Sequence, residues 1–215
     1  MDIILQPLKK EKGILIFQKV KSKNELKEDF DGYLIDSDEK EIRKIIEFLK
    51  GHNEKSQTQV NGDFSSLKLG TTQRITSSLS KKKIAILGKD DDFNRRIIET
   101  CKIDYLVSPE RGHFRDGVKQ RDSGLNHVVA KEAREKNISI VINFSDILKL
   151  EGKEKSLLLA KIMQNIKVCR KAECKIKIAS FAENESQLRS ENELKAFLFS
   201  LGMSSEQVRD AVDFS

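Results

Sequence analysis

The sequence predicts a compact (β/α) barrel of the TIM type, folded as one domain over residues 1–215, and two observations predict it. Short β-rich runs recur along the chain, and stretches of helical periodicity separate them, as parallel strands joined by helical crossovers require. Seven or eight such units in 215 residues suit a small barrel, with an open doubly wound sheet as the alternative.

The runs are Asp2 to Leu5, Ile14 to Phe17, Tyr33 to Ile35, Ile84 to Leu87, Ile103 to Val107, Ile138 to Asn143 and Ile176 to Ala179, with Thr58-Gln59-Val60 a weaker eighth. Helical patterns are clearest over 38–50, 91–101, 124–136, 154–173 and 191–200. Residues 51–80, rich in Gly, Ser, Thr, Asn and Gln, read as a long loop or an irregular strand and helix. No internal repeat and no linker divides the chain.

Two helices show their faces. Over 154–173, Leu158, Ile162, Ile166 and Cys169 form an apolar stripe, and Lys161, Gln164, Lys167 and Lys171 are expected on the opposite side. Over 124–136, Leu125, Val128, Val129 and Ala133 are expected to be buried, with His127, Lys131 and Arg134 lined up opposite. Asp122 or Ser123 is the expected N-cap, leaving backbone N–H groups beside His127 for a phosphate.

Charged residues are 34% of the chain and the net charge is +6. The surplus is regional: residues 178–215 hold three basic against seven acidic side chains, so residues 1–177 carry +10. Lys81 to Lys83, Arg95-Arg96, Arg111 to Arg121 and Lys149 to Lys177 hold most of it, a distribution that attracts polyanions. Aromatic residues are only 6%, with no Trp, which suits contact with phosphates better than stacking on unpaired bases. No apolar run approaches the roughly 18 residues of a spanning helix, and the acidic Met1-Asp2 start is unlike a signal peptide. A cytoplasmic protein is expected. Cys101, Cys169 and Cys174 form no disulfide framework and read as small buried residues.

Signatures of active enzymes are missing. There is no P-loop, no G-x-G-x-x-G after a strand, no H-E-x-x-H and no G-x-S-x-G. His52, His113 and His127 stand apart, so no metal centre and no cofactor are expected. His113 and His127 as an acid and base for RNA cleavage remain an alternative. Asp90-Asp91-Asp92 is read as a helix start, since carboxylates favour the positive end of the helix dipole.

From Val107 onward, linked stretches carry a resemblance. They are Val107-Ser108-Pro109, then Asp122-Ser123-Gly124-Leu125-Asn126-His127-Val128-Val129-Ala130-Lys131, then 138–148. Leu157 to Ala160, Asn165-Ile166, Cys169-Arg170-Lys171, Ala179-Ser180, Leu188-Arg189-Ser190 and Leu201-Gly202-Met203 follow in order. Together they resemble protein component 3 of archaeal ribonuclease P, with the Gly124 to Lys131 block the most specific. The likeness extends back to about Lys83, while residues 1–80 match only in element order. Two departures stand out: Ser180-Phe181-Ala182 replaces a usual Ser-Ser-Ala, and little chain follows Gly202-Met203.

The resemblance implies a TIM-type barrel without metal chemistry, serving an enzyme in which an RNA subunit removes the 5′ leader of precursor tRNA with Mg²⁺. Its implied partners are ribonuclease P RNA, precursor tRNA within the holoenzyme and ribonuclease P protein component 2, with no membrane. No catalytic residue of this chain is expected. The expected RNA-binding residues are Arg95, Arg96, Arg111, Arg115, Lys119, Arg121, His127, Lys131 and Arg134. Two functions of other classes stay open: a metal-dependent phosphoesterase-like barrel acting on a small phosphorylated substrate, and a basic adaptor that binds only proteins.

Overall fold

The computed structural model describes residues 2–5, 14–27, 29–58 (backbone alone beyond residue 50), 82–112 and 122–214. Each of the seven expected runs is a strand: β1 (Asp2–Leu5), β2 (Ile14–Val20), β3 (Gly32–Ile35), β4 (Lys83–Leu87), β5 (Tyr105–Val107), β6 (Ser139–Asn143) and β7 (Ile176–Ala179). They form one parallel sheet in sequence order. Its edges meet just past β7, where the Phe181 N–H donates to the Ile3 carbonyl (2.8 Å) and the Leu5 N–H to the Ala182 carbonyl (2.9 Å). The Asp2 carboxylate secures the seam by accepting from both the N–H and the hydroxyl of Ser180. Sequential order with joined edges is the topology of a TIM-type barrel, not of an open sheet whose order reverses.

The expected eighth strand fails at its first residue. Helix α1 (Glu39–Thr58) runs through Thr58, because extending an existing helix by one turn is far easier than starting a strand from one β-branched residue. Gln59 and Val60 lie outside the described residues. The other helices are α2 (Asp91–Thr100), α3 (His127–Glu135), α4 (Phe144–Leu148), α5 (Gly152–Ala172), α6 (Glu191–Ser200) and α7 (Ser205–Ala211).

Alternation along the strands sends one set of side chains into the barrel and the other against the helices. Inside, Leu5, Phe17, Leu34, Ala85, Leu87, Val107 and Val141 pack with Phe181. Gly32 is opposite Phe17 in the register, and a Cβ there would sit 2.5 Å from the Phe17 ring and 2.6 Å from the Lys83 carbonyl. The missing side chain is the space the ring occupies. The Phe181 departure also has a structural meaning: with φ +43° its side chain turns fully inward and meets Phe17 edge-on at 6.5 Å. At the opposite end Phe214 closes the barrel, 5.8 Å from Tyr105 and 5.0 Å beneath the Lys177 ammonium. Burial there pushes the Tyr105 hydroxyl up to about 12.

Three expectations for the helices change. Asn126 caps α3 by accepting from the Val129 N–H (3.0 Å), whereas Asp122 accepts from the Gly124 N–H two residues on (3.2 Å). Because α3 starts at His127, its buried stripe is Val129, Ala130 and Ala133, and Val128, about 100° away, is 73% exposed. Lys161 is 2% exposed. It lies three residues after Leu158, only about 60° round the helix, inside a stripe more than 100° wide.

Gly32→Ala is expected to destabilise the barrel by about 1–3 kcal/mol through overpacking, read as a lower urea midpoint with an unchanged m-value.

Candidate nucleic-acid interface

The expected cations sit on α2, on α3 and on the 3-10 turn Pro109–Arg111 that follows β5. One amide joins these three carriers. Asn94 on α2 is fully buried, and its Nδ2 donates to the carbonyls of Gly124 (2.9 Å), Pro109 (3.0 Å) and Lys89 (3.2 Å). Its Oδ1 accepts from the Lys89 N–H at 2.9 Å. Gly124 comes so close that a Cβ would lie 1.8 Å from the Pro109 carbonyl oxygen, and its φ is +72°. Only glycine fits there.

A second buried cluster holds the same turn from the α5 side. Glu110 is 3% exposed and accepts from Asn165 Nδ2 (3.2 Å), which also donates to the Ser123 carbonyl (3.0 Å). Asn165 Oδ1 is buried and has no partner among the described residues. The buried Lys161 ammonium donates to the Gly112 carbonyl at 3.2 Å. Burial pushes the Glu110 carboxyl up to about 7, with Asp146 adding to the rise and the Asn165 hydrogen bond and Lys161 opposing it. Sequence reading missed this network. One signal was available: Lys161 and Asn165 both fall on the apolar stripe of α5, where a polar side chain needs a buried partner.

Outside these clusters lie the expected contact residues. Arg95 pairs with Glu99 (2.6 Å), Arg96 with Glu39 of α1 (2.8 Å) and Arg134 with Glu173 (2.8 Å). Arg111, His127 and Lys131 are exposed and make no ion pair among the described residues. α2 packs on α3, and α3 and the Pro109–Arg111 turn both pack on α5, so the carriers adjoin one another. Arg115, Lys119 and Arg121 lie outside the described residues, as does His113. Lys161 is withdrawn from any surface role by its burial. At the strand C-terminal ends a cleft of about 320 Å³ opens between Asp36, Lys89 and Arg111. Among the described residues no three His, Cys, Asp or Glu side chains converge where they could hold a metal. The Asp90 carboxylate caps α2 by accepting from the Phe93 N–H (2.8 Å).

Fold and site together define a TIM-type barrel that offers exposed cations on its helical flank. Residues 68–214 match the family described as RNase P subunit p30, and the chain belongs to that family. A relative in Methanococcus maripaludis (strain C5), a ribonuclease P protein component 3, is 26% identical over 168 residues, 70% of each chain. Its counterpart in Methanocaldococcus jannaschii is 32% identical over 109 residues, 51% of this chain and 44% of that one. Among solved structures, a chain of archaeal ribonuclease P with mature tRNA, determined by cryo-EM, matches at TM-score 0.56 and 21% identity. The match covers 92% of this chain and 64% of that chain, and at this identity it speaks for the fold.

Two outcomes are expected. Asn94→Ala leaves the buried Pro109 and Gly124 carbonyls without a donor and lowers stability by about 3 kcal/mol, measurable by denaturant melting. Glu110 holds its proton more tightly folded than unfolded, so its contribution to stability is full below about pH 4 and is lost as pH rises through about 7. Glu110→Gln is expected to flatten that part of the stability profile, a change on the order of 3 kcal/mol between pH 4 and 8.

Proposed function

We propose that this chain is a protein subunit of ribonuclease P that binds the enzyme's RNA and supports 5′-leader removal from precursor tRNA, the RNA supplying the chemistry. The observation that carries the proposal is the set Arg111, His127 and Lys131, exposed and unpaired among the described residues on elements joined by Asn94, in a chain of the RNase P subunit p30 family. Closely packed RNA phosphates repel one another, and fixed cations lower that repulsion, so an active RNA fold needs less Mg²⁺. Arg95, Arg96 and Arg134 are proposed as secondary contacts, since each must first leave a carboxylate. Arg115, Lys119 and Arg121 remain in the proposed set. The proposal includes a cytoplasmic location. No helix among the described residues is long and apolar enough to cross a membrane.

Ribonuclease P protein component 2 is proposed as the protein partner, meeting the acidic C-terminal part, net −4 over residues 178–215. There Glu183 is tied to Lys149, Glu191 to Lys195 and, at 3.7 Å, Asp210 to Arg209, and both Glu206 and Asp210 are exposed on α7. Replacing both with Lys is expected to abolish co-elution with component 2 in size-exclusion chromatography. An unchanged complex moves that contact elsewhere.

Replacing Arg111 and Lys131 together with Ala is expected to weaken binding to ribonuclease P RNA and to flatten the dependence of log K on log salt by about 1.5, at 0.7 to 0.9 per lost phosphate contact. The same variant is expected to raise the Mg²⁺ needed for precursor tRNA cleavage by the reconstituted enzyme. Wild-type affinity and slope would exclude these residues. The protein alone is expected to leave precursor tRNA intact, and turnover without RNA that His127→Ala abolishes would overturn the division of labour.

A further inference from the structure

α5 ends in a turn that brings two cysteines together. Glu173 takes the left-handed conformation (φ +55°), its N–H donates to the Arg170 carbonyl (3.3 Å), and the Cys174 N–H donates to the Cys169 carbonyl (2.9 Å). This paired termination sets the side chain of the fourth residue from the helix end against that of the second residue beyond it. Here both are cysteines, where an apolar contact is usual. Standard bond lengths and the 2.9 Å hydrogen bond keep the two Cα atoms within about 6.8 Å, inside the span a disulfide bridges.

The two thiols differ in character. Cys169 is fully buried, and the neighbouring Cys174 together with burial holds its thiol well above its ordinary value, while the Cys174 thiol donates to the carbonyls of Lys175 (3.7 Å) and Ile138 (3.8 Å). The neighbouring Cys169 lowers Cys174, and the Arg134 guanidinium adds to the effect, against the opposing influence of burial. Cys174 is 7% exposed and lines a groove of about 530 Å³ between the end of α5, β7 and α7, wide enough for a small oxidant. Cys101, at the end of α2, is buried beside the Thr100 hydroxyl and offers an internal control.

We propose that Cys169 and Cys174 are a redox-active dithiol, which a peroxide entering this groove converts to an intramolecular disulfide stapling the end of α5 to the approach to β7. The Cys174 thiolate attacks one peroxide oxygen, an S–O bond forms as the O–O bond breaks, and the departing hydroxide takes up a proton to become water. The Cys169 sulfur then attacks the Cys174 sulfenic acid. An S–S bond forms, the S–O bond breaks, and the hydroxyl leaves as a second water carrying the Cys169 proton. Two thiols and one peroxide thus become one disulfide and two waters. The proposal is independent of RNA binding.

The test treats the reduced, folded full-length chain with one equivalent of hydrogen peroxide, quenches in acid, unfolds, alkylates free thiols and maps peptides by mass spectrometry. A cross-link between Cys169 and Cys174, reversed by dithiothreitol, is expected, formed about tenfold faster than Cys101 oxidises. Cys169→Ser is expected to halt the reaction at a Cys174 sulfenic acid that dimedone captures. Arg134→Gln is expected to slow cross-linking several-fold with the circular dichroism spectrum unchanged. Oxidation of Cys174 without a cross-link, a Cys174 rate equal to that of Cys101, or a cross-link that forms only after unfolding would each overturn the proposal.

Discussion

Four backbone groups from three separate stretches of chain converge on the Asn94 amide, and the rest of the candidate interface depends on that convergence. A side-chain amide offers two hydrogens and one carbonyl oxygen. Asn94 spreads its hydrogens over three carbonyls and uses its oxygen on the Lys89 N–H. An aliphatic side chain at this buried position would leave those groups desolvated and unpaired. Because the amide acts on backbone atoms, it fixes the path of the turn Pro109–Arg111 and of the approach to α3 whatever their side chains do. Charge on the surface is thereby carried by a frame that the interior sets.

That frame in turn stands on a barrel filled by unusual means. A seven-stranded ring needs its interior volume matched closely, since overfilling and voids both cost stability. Here the large Phe17 ring occupies room that Gly32 vacates, and Phe181 bends back from beyond β7 to meet it. The residue that fills the core therefore also lies in the seam that joins β7 to β1, through its own N–H to the Ile3 carbonyl. Closure and packing are coupled at one position.

Strand positions were legible because barrel strands are buried on both faces and read as short continuous apolar runs. All seven appear, β5 and β6 beginning one or two residues later than the runs suggest and β2 extending to Val20. Helix faces were legible where the helix start was right and blurred where it was not. Placing the cap of α3 at Asp122 or Ser123 rotated Val128 inward on paper, whereas the turn at Gly124 delays the helix to His127. That turn is shaped by Asn94, thirty residues earlier in sequence, which no local spacing reveals. Lys161 was misplaced because its charge outweighed its angle, although only 60° separates it from Leu158 on an ideal helix. The cations of α2 and α3 were located correctly on exposed faces. Their ion pairing was not readable, since the carboxylate that holds Arg96 comes from Glu39 on another helix.

The division between paired and unpaired cations decides how such a surface meets a polyanion. An arginine already beside a carboxylate brings little net charge to a phosphate, and exposed pairs of this kind contribute little to the fold. They are therefore easily exchanged, and in the proposed function they would engage only where a stronger anion displaces the carboxylate. Among the described residues Arg111 and Lys131 make no ion pair, and next to Arg111 in sequence stands the buried Glu110. With its carboxyl held near neutrality, Glu110 is mostly protonated below pH 7, so the turn is held there by a neutral hydrogen-bonded group. Ionisation above pH 7 favours any arrangement that lets water reach the carboxylate. The network that positions Arg111 is thus firmest where its buried acid carries no charge.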